Sequence, residues 1–247
     1  MLSKLVFRAP RPATYSMGTL PHVDFACTQN NHWIPVCYSN SWNHPPFLDP
    51  TGGGLWILFS HGNSEDLGNV SYWADYLSHK LHIPVVAYDY SGYGISSLEE
   101  GGGEAGNGLV ATEEDVYLDC EAAMLFAETT YGLRRDRCIV WGRSLGCSAS
   151  VHLATTTATG EEPEVAGMIL QSGFASVLAV GTSSLWDSSY DMFRNYDKLM
   201  RHPPTFPVFI IHGRLDKLVS VWHATQMELA IPASKLWPTL IEDQIAG

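Results

Sequence analysis

Gly142-Arg143-Ser144-Leu145-Gly146 fits G-x-S-x-G, the pattern that sets a serine on a strained turn between a strand and a helix. Its surroundings agree. Cys138-Ile139-Val140-Trp141 is a short apolar, β-rich run, and Ser148 to Leu153 reads as a helix with small residues near its start. A helix leaving so sharp a turn must pack close to the sheet, and small residues allow that. Its first N–H groups point at the serine, where an oxyanion would form. Ser144 is therefore the candidate nucleophile.

A serine hydroxyl is a weak nucleophile near neutral pH. It needs a base to take its proton, an acid to orient that base and N–H donors for the oxyanion. Ser60-His61-Gly62-Asn63 follows an apolar strand, so the backbone N–H of Asn63 is one candidate donor and that of Leu145 the other. The plainer reading is that His61-Gly62 only ends a strand in a tight turn. Ile211-His212-Gly213-Arg214-Leu215-Asp216 sets a carboxylate on a loop just past another apolar strand, where active sites of parallel sheets lie. Asp216 is the candidate acid; a helix cap or an ion pair with Arg214 is its plainer role. In this arrangement the base follows the acid by about 25–30 residues. Leu236 to Gly247 contains no histidine, and the last one, His223, stands seven residues after Asp216 on a helix. His223, His212 and His61 are each expected to be structural.

The elements that must hold these residues alternate. Val23–Thr28 and Trp33–Ser39 read as a hairpin turning at Gln29-Asn30-Asn31. Leu55–Phe59, Pro84–Tyr88, Cys138–Trp141, Val165–Leu170 and Phe206–Ile211 are apolar runs of strands buried on both faces. Ser64–Lys80, with Val70, Trp73, Tyr76 and Leu77 on one face, reads as a helix, as do Glu113–Thr129 and Val221–Leu229. Ser41–Gly54, the glycine-rich Ser96–Gly108 and Thr155–Glu164 are loops, the second expected to be mobile. Residues 174–202 are irregular and aromatic-rich, where a lid would hang over the strand ends. The expected fold is α/β, with a mostly parallel central sheet covered by helices on both faces. Residues 1–20 form an N-terminal extension and 21–247 a single domain.

At 247 residues the chain is long enough for one sizeable core. It is 45% hydrophobic and 16% charged, which excludes a disordered chain. A net charge of −12 argues against nucleic acid and against acidic membranes, although Lys4, Arg8 and Arg11 precede the first acid. Five cysteines without a C-x-x-C are read as reduced thiols of a cytoplasmic protein, with no metal and no cofactor expected. The first residues lack the apolar stretch of a signal peptide.

Several motifs carry a resemblance. They are Phe59-Ser60-His61-Gly62-Asn63 with Asp66-Leu67-Gly68, Tyr88-Asp89-Tyr90-Ser91-Gly92-Tyr93-Gly94 with Ser96-Ser97, the Gly142–Gly146 run, and Ile211-His212-Gly213 with Asp216. Lys4-Leu5-Val6-Phe7 and Pro12 to Tyr15 add to it. From about Lys4 to about Trp237 the chain resembles the α/β-hydrolase superfamily, in particular the α/β-hydrolase domain-containing 17 group of protein depalmitoylases. The resemblance implies hydrolysis of fatty acyl thioesters on cysteine, with Ser144 as nucleophile, Asp216 as triad acid, and Asn63 and Leu145 as oxyanion donors. Asp89 would organise its neighbouring loop. The substrate would be an acylated protein or a small acyl ester, with peripheral membrane contact. The chain departs from the group in three places: residues 1–26 lack the group's acylated cysteines, Ser97–Ala111 is longer and richer in Gly and Glu, and similarity stops at Leu236-Trp237. Asp243 stands near the place of the group's histidine, and the closing strand and helix read as truncated. The expectation is a serine hydrolase whose turnover is crippled. The alternatives are a catalytically impaired acyl-binding protein on the same frame, and a small-ester esterase or serine peptidase.

Overall fold

The computed structural model describes residues 6–20, 22–39, 54–100, 109–156, 165–181 and 191–243. The expected loop 41–54 falls almost wholly outside these residues, as do 101–108 of the stretch 96–108, 157–164 of 155–164 and 182–190 of 174–202. The chain divides into two compact units, Met1–Ile139 and Val140–Gly247.

In the first unit the hairpin forms as expected. β1 (Val23–Cys27) pairs antiparallel with β2 (Trp33–Ser39), in a register that sets Val23 opposite Cys37. The turn is closed by Thr28 N–H to the His32 carbonyl at 2.8 Å, with Asn31 at φ +61°, a conformation asparagine tolerates. β3 (Trp56–Ser60) and β4 (Val85–Tyr88) pair in parallel and are buried at every position, which is why both read as unbroken apolar runs. The strand order in this unit is β1-β2-β4-β3.

α1 (Leu67–Leu81) starts three residues later than the periodicity suggests. Asp66 is its N-cap, and its side chain and that of Asn69 form a reciprocal capping box. Such a cap is worth about 1 kcal/mol. The helix buries Leu67, Val70, Ala74 and Leu77, whereas Tyr76, expected on this face, is 51% exposed. α2 (Glu113–Thr130) is capped by the Thr112–Asp115 box and carries three acids in its first turn, which suits the helix dipole. Trp56 is fully buried and its indole N–H donates to the Arg134 carbonyl at 2.7 Å, so its burial leaves no polar group unpaired.

β5 (Cys138–Arg143) carries the chain into the second unit, where the strand order is β5-β6-β7-β8. β6 (Gly167–Gln171) and β7 (Val208–Gly213) are parallel, as are β7 and the short β8 (Leu240–Glu242). α3 (Gly146–Thr155) follows β5 and is almost entirely buried. Two short helices, α4 (Val177–Gly181) and α5 (Asn195–Arg201), lie in the segment expected to be irregular, and α6 (Trp222–Leu229) follows β7. Asn195 ties α5 to the unit, donating to Ser148 Oγ at 3.0 Å and to the Phe174 carbonyl at 2.9 Å. Strands in parallel pairs with intervening helices are the α/β arrangement read from the sequence.

Candidate active site

Ser144 sits at φ +51°, in the left-handed region that β-carbon-bearing residues avoid. Its conformation is held from several sides. Its N–H donates to the Gln171 carbonyl at 2.8 Å, and its own carbonyl accepts from Cys147 N–H at 3.0 Å. Gly142 admits this geometry, because a β-carbon there would collide with the Gly146 carbonyl and the Cys147 backbone. Cys147 is fully buried and donates its thiol to the Gly142 carbonyl at 3.1 Å; burial pushes that thiol up to about 12, so it is inert. Gly173 leaves room for the same sulfur.

Leu145 has helical angles and caps α3. Among the described residues its backbone N–H has no acceptor, as for the first turn of any α-helix. Ser144 is half-buried, and among the described residues its hydroxyl has no hydrogen-bond partner. Among the described residues no base is hydrogen-bonded to it.

Asp216 lies just beyond β7, as read. Its Oδ1 accepts from Leu218 N–H and Val219 N–H, both at 2.9 Å. Its Oδ2 is buried and has no hydrogen-bond partner. The suspected ion pair with Arg214 is not made: Arg214 Nε donates to Asp243 Oδ1 at 3.1 Å, on the surface. Asp243, near the expected place of the base, is thus engaged as an ion-pair carboxylate.

His212 is fully buried, and its Nε2–H donates to the Val219 carbonyl at 2.8 Å. This bond and the two amides on Oδ1 staple the loop from 216 to 219 and leave Asp216 Oδ2 buried without a hydrogen bond, 4.0 Å from His212 Nε2. Sequence reasoning assigned His212 a structural part without seeing this. His223 is buried too. Its Nδ1 accepts from Ala175 N–H at 3.2 Å, and burial, then the neighbouring His212, lower its pKa to about 4. Beside it opens a cavity of about 290 Å³, whose lining includes Lys217, Leu218, Ser220 and Trp222. Sequence reasoning missed Ser172. It follows β6 at φ +49°, buried, with its hydroxyl unpartnered, and its N–H bonds the Ile211 carbonyl at 2.8 Å. Nothing in Gln171-Ser172-Gly173 signals that strain.

In the first unit, Asn63 follows β3 by three residues. Its backbone N–H has no acceptor among the described residues, while its side-chain Oδ1 accepts two hydrogen bonds and its Nδ2 donates one. His61 is walled in by the rings of Tyr90 and Tyr93, with Nδ1 donating to the Gly62 carbonyl at 2.8 Å and Nε2 3.3 Å from Asp89 Oδ1. Asp89 is fully buried, and desolvation raises its pKa. It accepts from Leu67 N–H at 2.8 Å and from the Tyr15 hydroxyl, so it organises the loop before α1. All five cysteines are free thiols. No three His, Cys, Asp or Glu side chains among the described residues are grouped as metal ligands, and no described helix is long and apolar enough to cross a membrane.

The family model described as serine aminopeptidase, S33, matches residues 55–186. Human alpha/beta hydrolase domain-containing protein 17B is 35% identical over 184 residues, which are 73% of this chain and 57% of that protein. The 17C protein of Xenopus tropicalis is 32% identical over 189 residues, 75% of this chain and 55% of its own. The chain thus spans little more than half the length of these relatives. Among solved structures, an esterase of Pyrococcus furiosus aligns with a TM-score of 0.64 at 15% identity, covering 97% of this chain and 88% of its own. Mouse alpha/beta hydrolase domain-containing protein 10 gives 0.60 at 15%, covering 91% and 90%. At that identity the two structures speak for the fold alone. The chain has the α/β-hydrolase fold and belongs to the serine aminopeptidase S33 family of hydrolases.

Proposed function

We propose that the chain is a serine hydrolase of fatty acyl thioesters, of the protein-depalmitoylating kind. The observation that carries this is Ser144 at φ +51°, with the free Leu145 N–H beside it at the start of α3. Ser144 Oγ attacks the acyl carbonyl, and the Leu145 and Asn63 amides are assigned to the oxygen that becomes negative. The C–S bond breaks, the thiol leaves with a proton, and water then releases the fatty acid from Ser144. Asp216, with its Oδ2 not hydrogen-bonded, is assigned to orient the base. The substrate is an acylated protein met at a membrane surface from the cytoplasmic side, and no cofactor takes part.

Among the described residues no base touches the Ser144 hydroxyl, so slow turnover is the outcome this reading expects. Removing a triad member leaves roughly 10³- to 10⁴-fold catalysis over water, from the oxyanion donors and binding. The same observation favours a second reading, acyl binding without turnover. Hydrolysis of a long-chain acyl thioester, a short aryl ester and an aminoacyl amide tests both. The thioester is expected to be cleaved slowly but fastest of the three. Faster cleavage of the short ester or the amide would move the assignment to an esterase or a peptidase, and saturable thioester binding with no product would favour the second reading.

A further inference from the structure

The segment from Val6 to Tyr15 has almost no regular structure, yet it is fastened to the loop after β3 at two places. At the first, the Asn63 side chain behaves like a peptide unit of a neighbouring strand. Its Oδ1 accepts from Arg8 N–H at 3.0 Å, and its Nδ2 donates to the Val6 carbonyl at 2.6 Å. The Tyr93 hydroxyl donates to the same Oδ1 at 2.6 Å. The amide of Asn63 therefore meets both a donor and an acceptor two residues apart, a match that Asp or Ala cannot make.

At the second place, two buried carboxylates receive the strap. Asp66 accepts from Thr14 N–H at 2.7 Å and from the Thr14 hydroxyl. Asp89 accepts from the Tyr15 hydroxyl on one oxygen and from Leu67 N–H on the other, at 2.8 Å. Tyr15 is itself buried. Gly68 makes the approach feasible, since a β-carbon there would collide with the Thr14 side chain. Between these anchors lies Asn63 to Leu67, with the Asn63 backbone N–H unbonded among the described residues.

We infer that Val6–Tyr15 is a positioning strap for the oxyanion loop, and that Asn63 serves twice, offering its backbone N–H to the reaction and its side chain to the strap. The inference rests on the serine-hydrolase reading for the use of that N–H. A donor must be held to within about 0.5 Å of its working place. A loop with few contacts of its own gains that fixity from a second segment bonded along it. Val6, Arg8, Thr14, Tyr15 and Tyr93 are then positioning residues.

Two variants test this in the full chain. Asn63→Ala keeps the backbone N–H and removes the side-chain anchor. Arg8→Pro leaves Asn63 intact and removes a single strap donor. Hydrogen exchange read by mass spectrometry over residues 60–68, beside thermal melting, reports the strap without any need for activity. Fluorophosphonate labelling at Ser144 reports the reaction. Both variants are expected to exchange about tenfold faster over 60–68, with exchange over α2 unchanged, because only local opening is altered. Labelling is expected to slow by about tenfold or more, short of the roughly 10²- to 10³-fold lost when an oxyanion donor is removed outright. Unchanged exchange in both variants would overturn the strap. Faster exchange with unchanged labelling would overturn its part in the reaction. A parent chain that is folded but never labels would defeat the serine-hydrolase reading instead, and the exchange data would still decide the strap.

Discussion

Ser144 is held at φ +51°, where a β-carbon costs about 1–2 kcal/mol. Glycine escapes that cost. Ser144→Gly is therefore expected to be more stable than both the parent and Ser144→Ala, by about 1 kcal/mol, or a few degrees in Tm for a chain of this size. Equal melting of the Gly and Ala variants would show that the turn stores no strain. The strained turn at Ser144 was legible in the sequence because Gly142, flanking it in the G-x-S-x-G spacing, lets a strand and a helix meet so closely. The strain at Ser172 was not, because it arises from how the end of β6 meets Ile211, a contact 39 positions away. The clamp of Asn63 on Val6 and Arg8 was hidden for the same reason: an asparagine after a strand advertises a turn, and nothing local names its partners.

Among the elements, the buried parallel strands were the plainest to read, since burial on both faces demands unbroken apolar runs. Helix edges were harder. α1 begins at Leu67 because Asp66 caps it, and its exposed Tyr76 follows the 3.6-residue period less strictly than the pattern implied. α6 and the loop that precedes it hold a pH-dependent contribution. His223 is neutral and buried in the fold, with its pKa lowered from 6.5 to about 4. Between those values the unfolded chain binds a proton that the folded chain refuses, so stability falls as pH drops through this window. His223→Gln removes the titration. The difference in stability between parent and variant is expected to shift against the parent as pH falls from about 6.5 to about 4. Melting curves at several pH values check this, and a pH-independent difference would refute it.

For the whole molecule, the α/β class and the hydrolase family were both readable, from alternating elements and from motifs spread along most of the chain. The substrate assignment rests on less: resemblance, a strained serine and a carboxylate with one oxygen not hydrogen-bonded. The central claim is that Ser144 is the nucleophile, and one measurement meets it directly. Purified chain, confirmed as folded by circular dichroism, is treated with a fluorophosphonate beside Ser144→Ala. The account predicts a single label on Ser144, absent from the variant. A folded chain that takes no label, or a label that survives in Ser144→Ala, would contradict it.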